Sequence, residues 1–218
     1  TAIDLVNFID KEYRTLAKRE SRGIAGHSMG GYGAIKIGMQ YPAVFSVVYG
    51  LSPAVLKNPF EPKHDVFKRI PELNTREQVI KGKAEWNSNA AIAMARAFSP
   101  NPDNPPFYID LPYAYRGKKL TIDYEVLELW NKQSPINMVS SHVDNLKRLT
   151  AIKFDWGRNE ENVKIPITCK ALSRELQIYG IKHFAEEYLG NHTNMLWTDD
   201  GRAITDLFPF FNRYLKFE

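Results

Sequence analysis

The chain has 218 residues, 44% of them hydrophobic and 25% charged, which suits one domain of ordinary size around one core. Its formal charge is +4 with the basic residues scattered rather than clustered, which argues against a nucleic-acid footprint. No apolar run approaches the ~18 residues of a membrane span, and the single cysteine, Cys169, leaves no internal disulfide and no cysteine–histidine zinc cluster.

At the start, Thr1-Ala2-Ile3-Asp4-Leu5 lacks the basic segment and apolar run of a signal peptide. Thr1 reads as a helix cap or a processing scar rather than an N-terminal nucleophile. Leu5, Val6, Phe8, Ile9 and Tyr13 recur at helical spacing and predict an amphipathic helix over residues 2–15. Arg22–Gly26 is a short apolar strand. His27-Ser28-Met29-Gly30-Gly31 follows, then a small-residue helix to about Gln40 that Tyr41-Pro42 stops. Phe45–Gly50 is β-branched and aromatic, a buried strand.

Residues 53–147 carry much of the proline and read as an insertion or lid within a single domain spanning 1–218. Ser99–Pro106 holds four prolines, so neither helix nor central strand fits it. Helical patches lie around it at Ala90–Ala97 and Tyr124–Asn131. Phe107, Tyr108, Tyr113, Tyr115 and Trp130 form either the insertion's own small core or the lining of a pocket. Regularity returns with a strand at Ala151–Trp156, a helix over 167–179 ending at Gly180, a strand at Lys182–Leu189 and a closing helix over 201–215. Cys169 falls near the start of the helix over 167–179 and reads as a small core residue. The alternation predicts an α/β fold, a mainly parallel sheet flanked by helices.

The motif that carries chemistry is Gly26-His27-Ser28-Met29-Gly30, a G-x-S-x-G pattern between strand and helix. A serine on so sharp a turn projects its hydroxyl beyond the sheet, and the crowded backbone calls for small residues two before and two after it. The following helix offers the Met29 N–H as a donor to an oxyanion. Serine needs a base, normally histidine, and an acid to orient that base. Of five histidines, His27 sits inside the turn and points away from base duty. His64 and His142 lie in or beside the insertion, and His183 opens a strand. His192 stands in a loop after the last strand, where parallel sheets place catalytic groups. The acid belongs between Ser28 and His192, again after a strand. Glu160 is the first choice, with Asp155 and Glu161 as alternatives. Asn191-His192-Thr193 is formally a glycosylation sequon, read here as coincidence because a glycan would block the base.

Gly26–Ala34 with Tyr41-Pro42 and Phe45–Pro53 resembles the esterase D family of α/β-hydrolases, together with the upstream helix Phe8–Thr15 and the Arg22–Ala25 strand. That family includes S-formylglutathione hydrolases, feruloyl and acetylxylan esterases and mycolyltransferases. Gly157 followed by Glu160 is similar to its acid position, although aspartate is usual there, and Gly190, His192 and Trp197 are similar to its histidine loop. The resemblance implies a carboxylic ester hydrolase working through an acyl-enzyme on Ser28, with no cofactor or metal and a small-molecule ester as substrate. It leaves open an acyltransferase, and a weakened binding module. It also implies strands before the first helix that this chain does not show. The expectation is therefore a fragment of a longer protein, or a strand edge paired with a second chain, since a bare apolar edge is an aggregation hazard.

Overall fold

The computed structural model describes residues 2–63, 65–73, 75–80 and 85–218; Thr1 and His64 lie outside them. The chain divides into two compact units, one formed by residues 1–57 with 138–218 and one by 58–137.

In the first unit, helix α1 (Asp4–Glu12) precedes strand β1 (Gly23–His27), helix α2 (Met29–Gln40) and strand β2 (Val47–Leu51). The predicted strand begins two residues late, because Phe45 and Ser46 are spent on the exit from α2 and the Ser46 N–H donates to Arg22 O. In the second unit come α3 (Val66–Arg69), α4 (Arg76–Ile80), α5 (Trp86–Phe98), the antiparallel hairpin β3 (Tyr113–Arg116) and β4 (Lys119–Ile122), and α6 (Tyr124–Asn131). A short helix α7 (Pro135–Met138) then leads to α8 (Val143–Arg148), β5 (Ala151–Gly157), α9 (Lys164–Ile178), β6 (Phe184–Tyr188) and α10 (Phe208–Tyr214).

Strands β1, β2, β5 and β6 form one parallel sheet in the order β1-β2-β5-β6. Every residue of β2 and β5 is buried, as expected of central strands in a parallel sheet covered on both faces. Val47, Tyr49, Leu51 and Ala151 pack with Leu196, Leu207 and Phe210 on one side. Cys169, fully buried on α9, belongs to the core, and burial pushes its thiol well above the usual range.

β1 is an edge strand among the described residues. The Ser28 N–H donates to Leu51 O, and Arg22 O accepts from Ser46 N–H. Alternation along a parallel ladder therefore turns the main-chain groups of Gly23, Ala25 and His27 to the open side. Helix α1 has no buried residue, and its apolar Leu5 and Phe8, with Ile3 just before it, are each more than half exposed.

The second unit has a core of its own. Trp130, Phe107 and Tyr113 are buried, whereas Tyr108 is exposed and Tyr115 lies under the Lys68 ammonium. The Trp130 indole N–H donates to Ser99 Oγ at 2.8 Å, and Ser99 Oγ–H donates to Asp110 O at 2.7 Å. Asn101 and Asn104 amides donate to the Asp110 carboxylate. The proline-rich loop is thus held by polar side chains as well as by proline itself.

Candidate active site

The sharp turn between β1 and α2 leaves Ser28 at φ 57°, ψ −118°, a conformation that a non-glycine residue keeps only under constraint. The constraint is hydrogen bonding on both sides. The Ser28 N–H donates to Leu51 O, and Ser28 O accepts from Tyr32 and Ala54 N–H groups. The Ser52–Val55 segment that supplies Ala54 is itself unusual, with Ser52 at φ 41° and the β-branched Val55 at φ 58°. A Cβ on Gly26 would lie 2.2 Å from the carbonyl carbon and oxygen of Gly30, so the first small residue of the motif is required by geometry. The second is not. A Cβ on Gly30 would meet open space, while one on Gly31 would sit 2.9 Å from Pro53. The crowded glycine on the helix side is therefore residue 31, because α2 turns its first exposed face outward at residue 30 and presses the next residue on the loop after β2.

His192 lies in the loop after β6. Its Nε2 is 2.9 Å from Ser28 Oγ, and its Nδ1 is 2.8 Å from Glu160 Oε2. An ionised carboxylate only accepts, so Nδ1 carries the proton and a neutral ring accepts the Ser28 hydroxyl at Nε2. The Glu160 side chain is fully enclosed, and its other oxygen accepts from Gly157 N–H at 3.3 Å. Two loops bring these groups together. Arg158 N–H donates to Tyr188 O and Asn159 N–H to Gly190 O. A Cβ on Gly157 would lie 2.5 Å from Gly190 O, so glycine at the end of β5 lets the loop carrying Glu160 close on the loop carrying His192. Within the latter, Asn191 Oδ1 accepts from Thr193 and Asn194 N–H groups, and Tyr188 O–H donates to Asn191 O.

The three carboxylates weighed from sequence occupy different places. Asp155 is fully buried at the sheet centre, where Oδ2 accepts from Tyr49 O–H at 2.6 Å and from Arg202 Nε and Nη2 at 2.9 and 2.8 Å. Burial pushes its carboxyl up against the pull of Arg202. Burial and the Asp155 charge push the Tyr49 phenol far above its ordinary value. Burial opposes the Arg202 cation, but Asp155 and its neighbours outweigh that and hold it protonated. Glu161 reaches only the main-chain N–H of His192, at 3.4 Å. Of the other histidines, His142 bonds Met138 O and Ser141, and His183 lies between Ser173 Oγ and Ile181 O, stacked on Phe154. His27 does meet the site. Its Nε2 is 2.7 Å from His192 O, and the two rings lie 4.6 Å apart. Sequence reasoning assigned His27 no role, and no spacing rule signals one.

Met29 is the first residue of α2, so its N–H has no acceptor within the helix. Among the described residues no group of three metal-ligating side chains occurs, and no helix is long and apolar enough to cross a membrane.

A strained serine between strand and helix on a parallel sheet, hydrogen-bonded to a histidine that is itself bonded to a buried glutamate, defines the α/β-hydrolase class. The chain belongs to the Esterase family, described as Putative esterase, which matches residues 2–200. No curated protein matches it. Among solved structures it is similar to a ferulic acid esterase, with 18% identity and a TM-score of 0.59, covering 97% of this chain and 59% of that one. An S-formylglutathione hydrolase from Staphylococcus aureus matches at 16% identity and TM-score 0.51, covering 94% and 56%. A puromycin-hydrolyzing peptidase from Mycobacterium tuberculosis matches at 14% and 0.55, covering 99% and 25%. At these identities the likeness is one of fold. The chain spans 59% of the ferulic acid esterase structure, less than two thirds of its length.

Proposed function

We propose that the protein hydrolyses small-molecule carboxylic esters through an acyl-enzyme on Ser28. The observation that carries this is the unbroken hydrogen-bond chain from Ser28 Oγ through the His192 ring to Glu160. Ser28 Oγ attacks the acyl carbon while its proton passes to His192 Nε2. The Glu160 carboxylate keeps Nδ1–H in place and stabilises the imidazolium. The Met29 N–H donates to the oxyanion of the tetrahedral intermediate. His192 then gives its proton to the leaving alcohol, and water, activated by the same ring, releases the acid. No step needs a cofactor or metal. Replacing Ser28 by Ala is expected to abolish p-nitrophenyl acetate turnover with an unchanged circular dichroism spectrum; persistent turnover would reject Ser28 as nucleophile.

We further propose that the open side of β1 is paired by an added strand, from a second copy or from further polypeptide of the same protein. Support comes from the outward main-chain groups of Gly23, Ala25 and His27 beside a helix with an uncovered apolar stripe. Light scattering on the active protein tests the pairing between copies. Hydrogen exchange tests both sources, since protected Ala25 and His27 amides are the expected result. A fully active monomer with rapid exchange at both amides would refute the pairing.

A further inference from the structure

We propose that His27 is a positioning residue: its Nε2–H holds the main chain of His192, and thereby keeps the base within reach of Ser28. The inference rests on the assignment of Ser28 and His192 made above. The partner of His27 Nε2, at 2.7 Å, is a main-chain carbonyl, which only accepts, so Nε2 carries a proton. That nitrogen is committed, and His27 does not compete with His192 for the serine hydroxyl. His27 is the last residue of β1 and Ser28 is the next in the chain. Consecutive residues thus grip His192 at two points, Ser28 at the ring and His27 at the peptide.

The second grip matters because His192 stands on no helix or strand. Its loop is fixed at Gly190 by Asn159 N–H, at Asn191 by Tyr188 O–H, and at Met195 by Arg202 N–H. These anchors tie the loop to β5, β6 and the segment before α10. On residue 192 itself, Glu161 reaches the main-chain N–H at 3.4 Å, while the shorter bond, 2.7 Å to the carbonyl, comes from the nucleophile's own strand. Movement of β1 and α2 against the rest of the sheet would therefore carry the base with the nucleophile. A displacement of ~1 Å at reacting groups costs on the order of 100-fold in rate, so the tether is expected to act on kcat and not on substrate affinity.

The test compares His27→Leu, which fills similar space without a donor, with His27→Gln, whose amide N–H has comparable reach. Turnover of p-nitrophenyl acetate and the rate of fluorophosphonate labelling are measured on the full chain, with thermal melting alongside. His27→Leu is expected to lower kcat and labelling about 10- to 100-fold, with KM and melting temperature little changed, and His27→Gln to restore most of the loss. Nitrogen NMR of the unmodified chain, which needs no turnover, is expected to show His27 protonated at Nε2. An unchanged kcat in His27→Leu, an equal loss in both variants, or a His27 ring protonated only at Nδ1 would overturn the proposal. Ser28→Ala separates the two readings. If it is inactive while His27→Leu runs at full rate, only the role of His27 falls; if it remains active, the nucleophile assignment itself is wrong.

Discussion

At the residue scale, the turn at Ser28 makes different demands on glycines that look alike in sequence. Gly26 and Gly30 are both part of the G-x-S-x-G pattern, yet only Gly26 is pressed against main chain. Gly26→Ala is expected to cost about 1–3 kcal/mol through overpacking, visible as a lower melting temperature together with lost turnover. Gly30→Ala is expected to leave melting unchanged or raise it, since alanine in a helix is worth about 0.5–1 kcal/mol over glycine. Equal melting losses in the two variants would contradict the geometry. The sharp turn at Ser28 was legible in sequence because steric crowding there leaves a motif. His192 and Glu160, which the structure brings beside Ser28, were singled out in sequence by elimination, by their place after strands and by the family resemblance. His27 was not legible, because a tether between a side chain and a distant main-chain carbonyl imposes no local pattern. Nor did the positive φ of Ser52 and Val55 announce itself, since neither is the glycine or asparagine that usually marks such a conformation.

At the element scale, the sequence located the four sheet strands because β2 is apolar throughout, β5 carries only Lys153 and Asp155 among apolar residues, and β1 leads into a recognisable turn. Two helix boundaries differ from the expected 167–179 and 201–215. Helix α9 begins at Lys164, before Pro166, because a proline in the first turn gives up an N–H that has no intrahelical acceptor. The closing helix starts instead as a π-helical turn, Ala203–Leu207, with Pro209 in the first turn of α10. Asp155, within β5, anchors the Arg202 guanidinium at the sheet, with Tyr49 on the same oxygen. That pair is structural in consequence. Arg202→Met would leave a buried carboxylate short of its cation and is expected to cost about 3–5 kcal/mol, read as a shift in the urea midpoint. Adding Asp155→Asn should recover part of the loss. No change in the midpoint for Arg202→Met would show that the ion pair does not hold β5 to the segment before α10.

At the scale of the whole molecule, two compact units alternate in sequence, with residues 58–137 set between the halves of the sheet-bearing unit. The aromatic residues of the second unit left two readings open from sequence, and three of the five are buried within that unit's own core. What unites the sheet-bearing unit is convergence at the carboxyl ends of its strands: Ser28 after β1, Ser52 after β2, Glu160 after β5 and His192 after β6. Such convergence is how an open parallel sheet gathers reactive groups from distant points in a chain. Its most direct test is mass spectrometry of the intact protein after exposure to a fluorophosphonate, followed by peptide mapping. A single adduct on Ser28, absent in Ser28→Ala and formed more than about 100-fold more slowly in His192→Ala, is the predicted result. Labelling of Ser28 at the same rate without His192, or an adduct on another residue, would contradict the account.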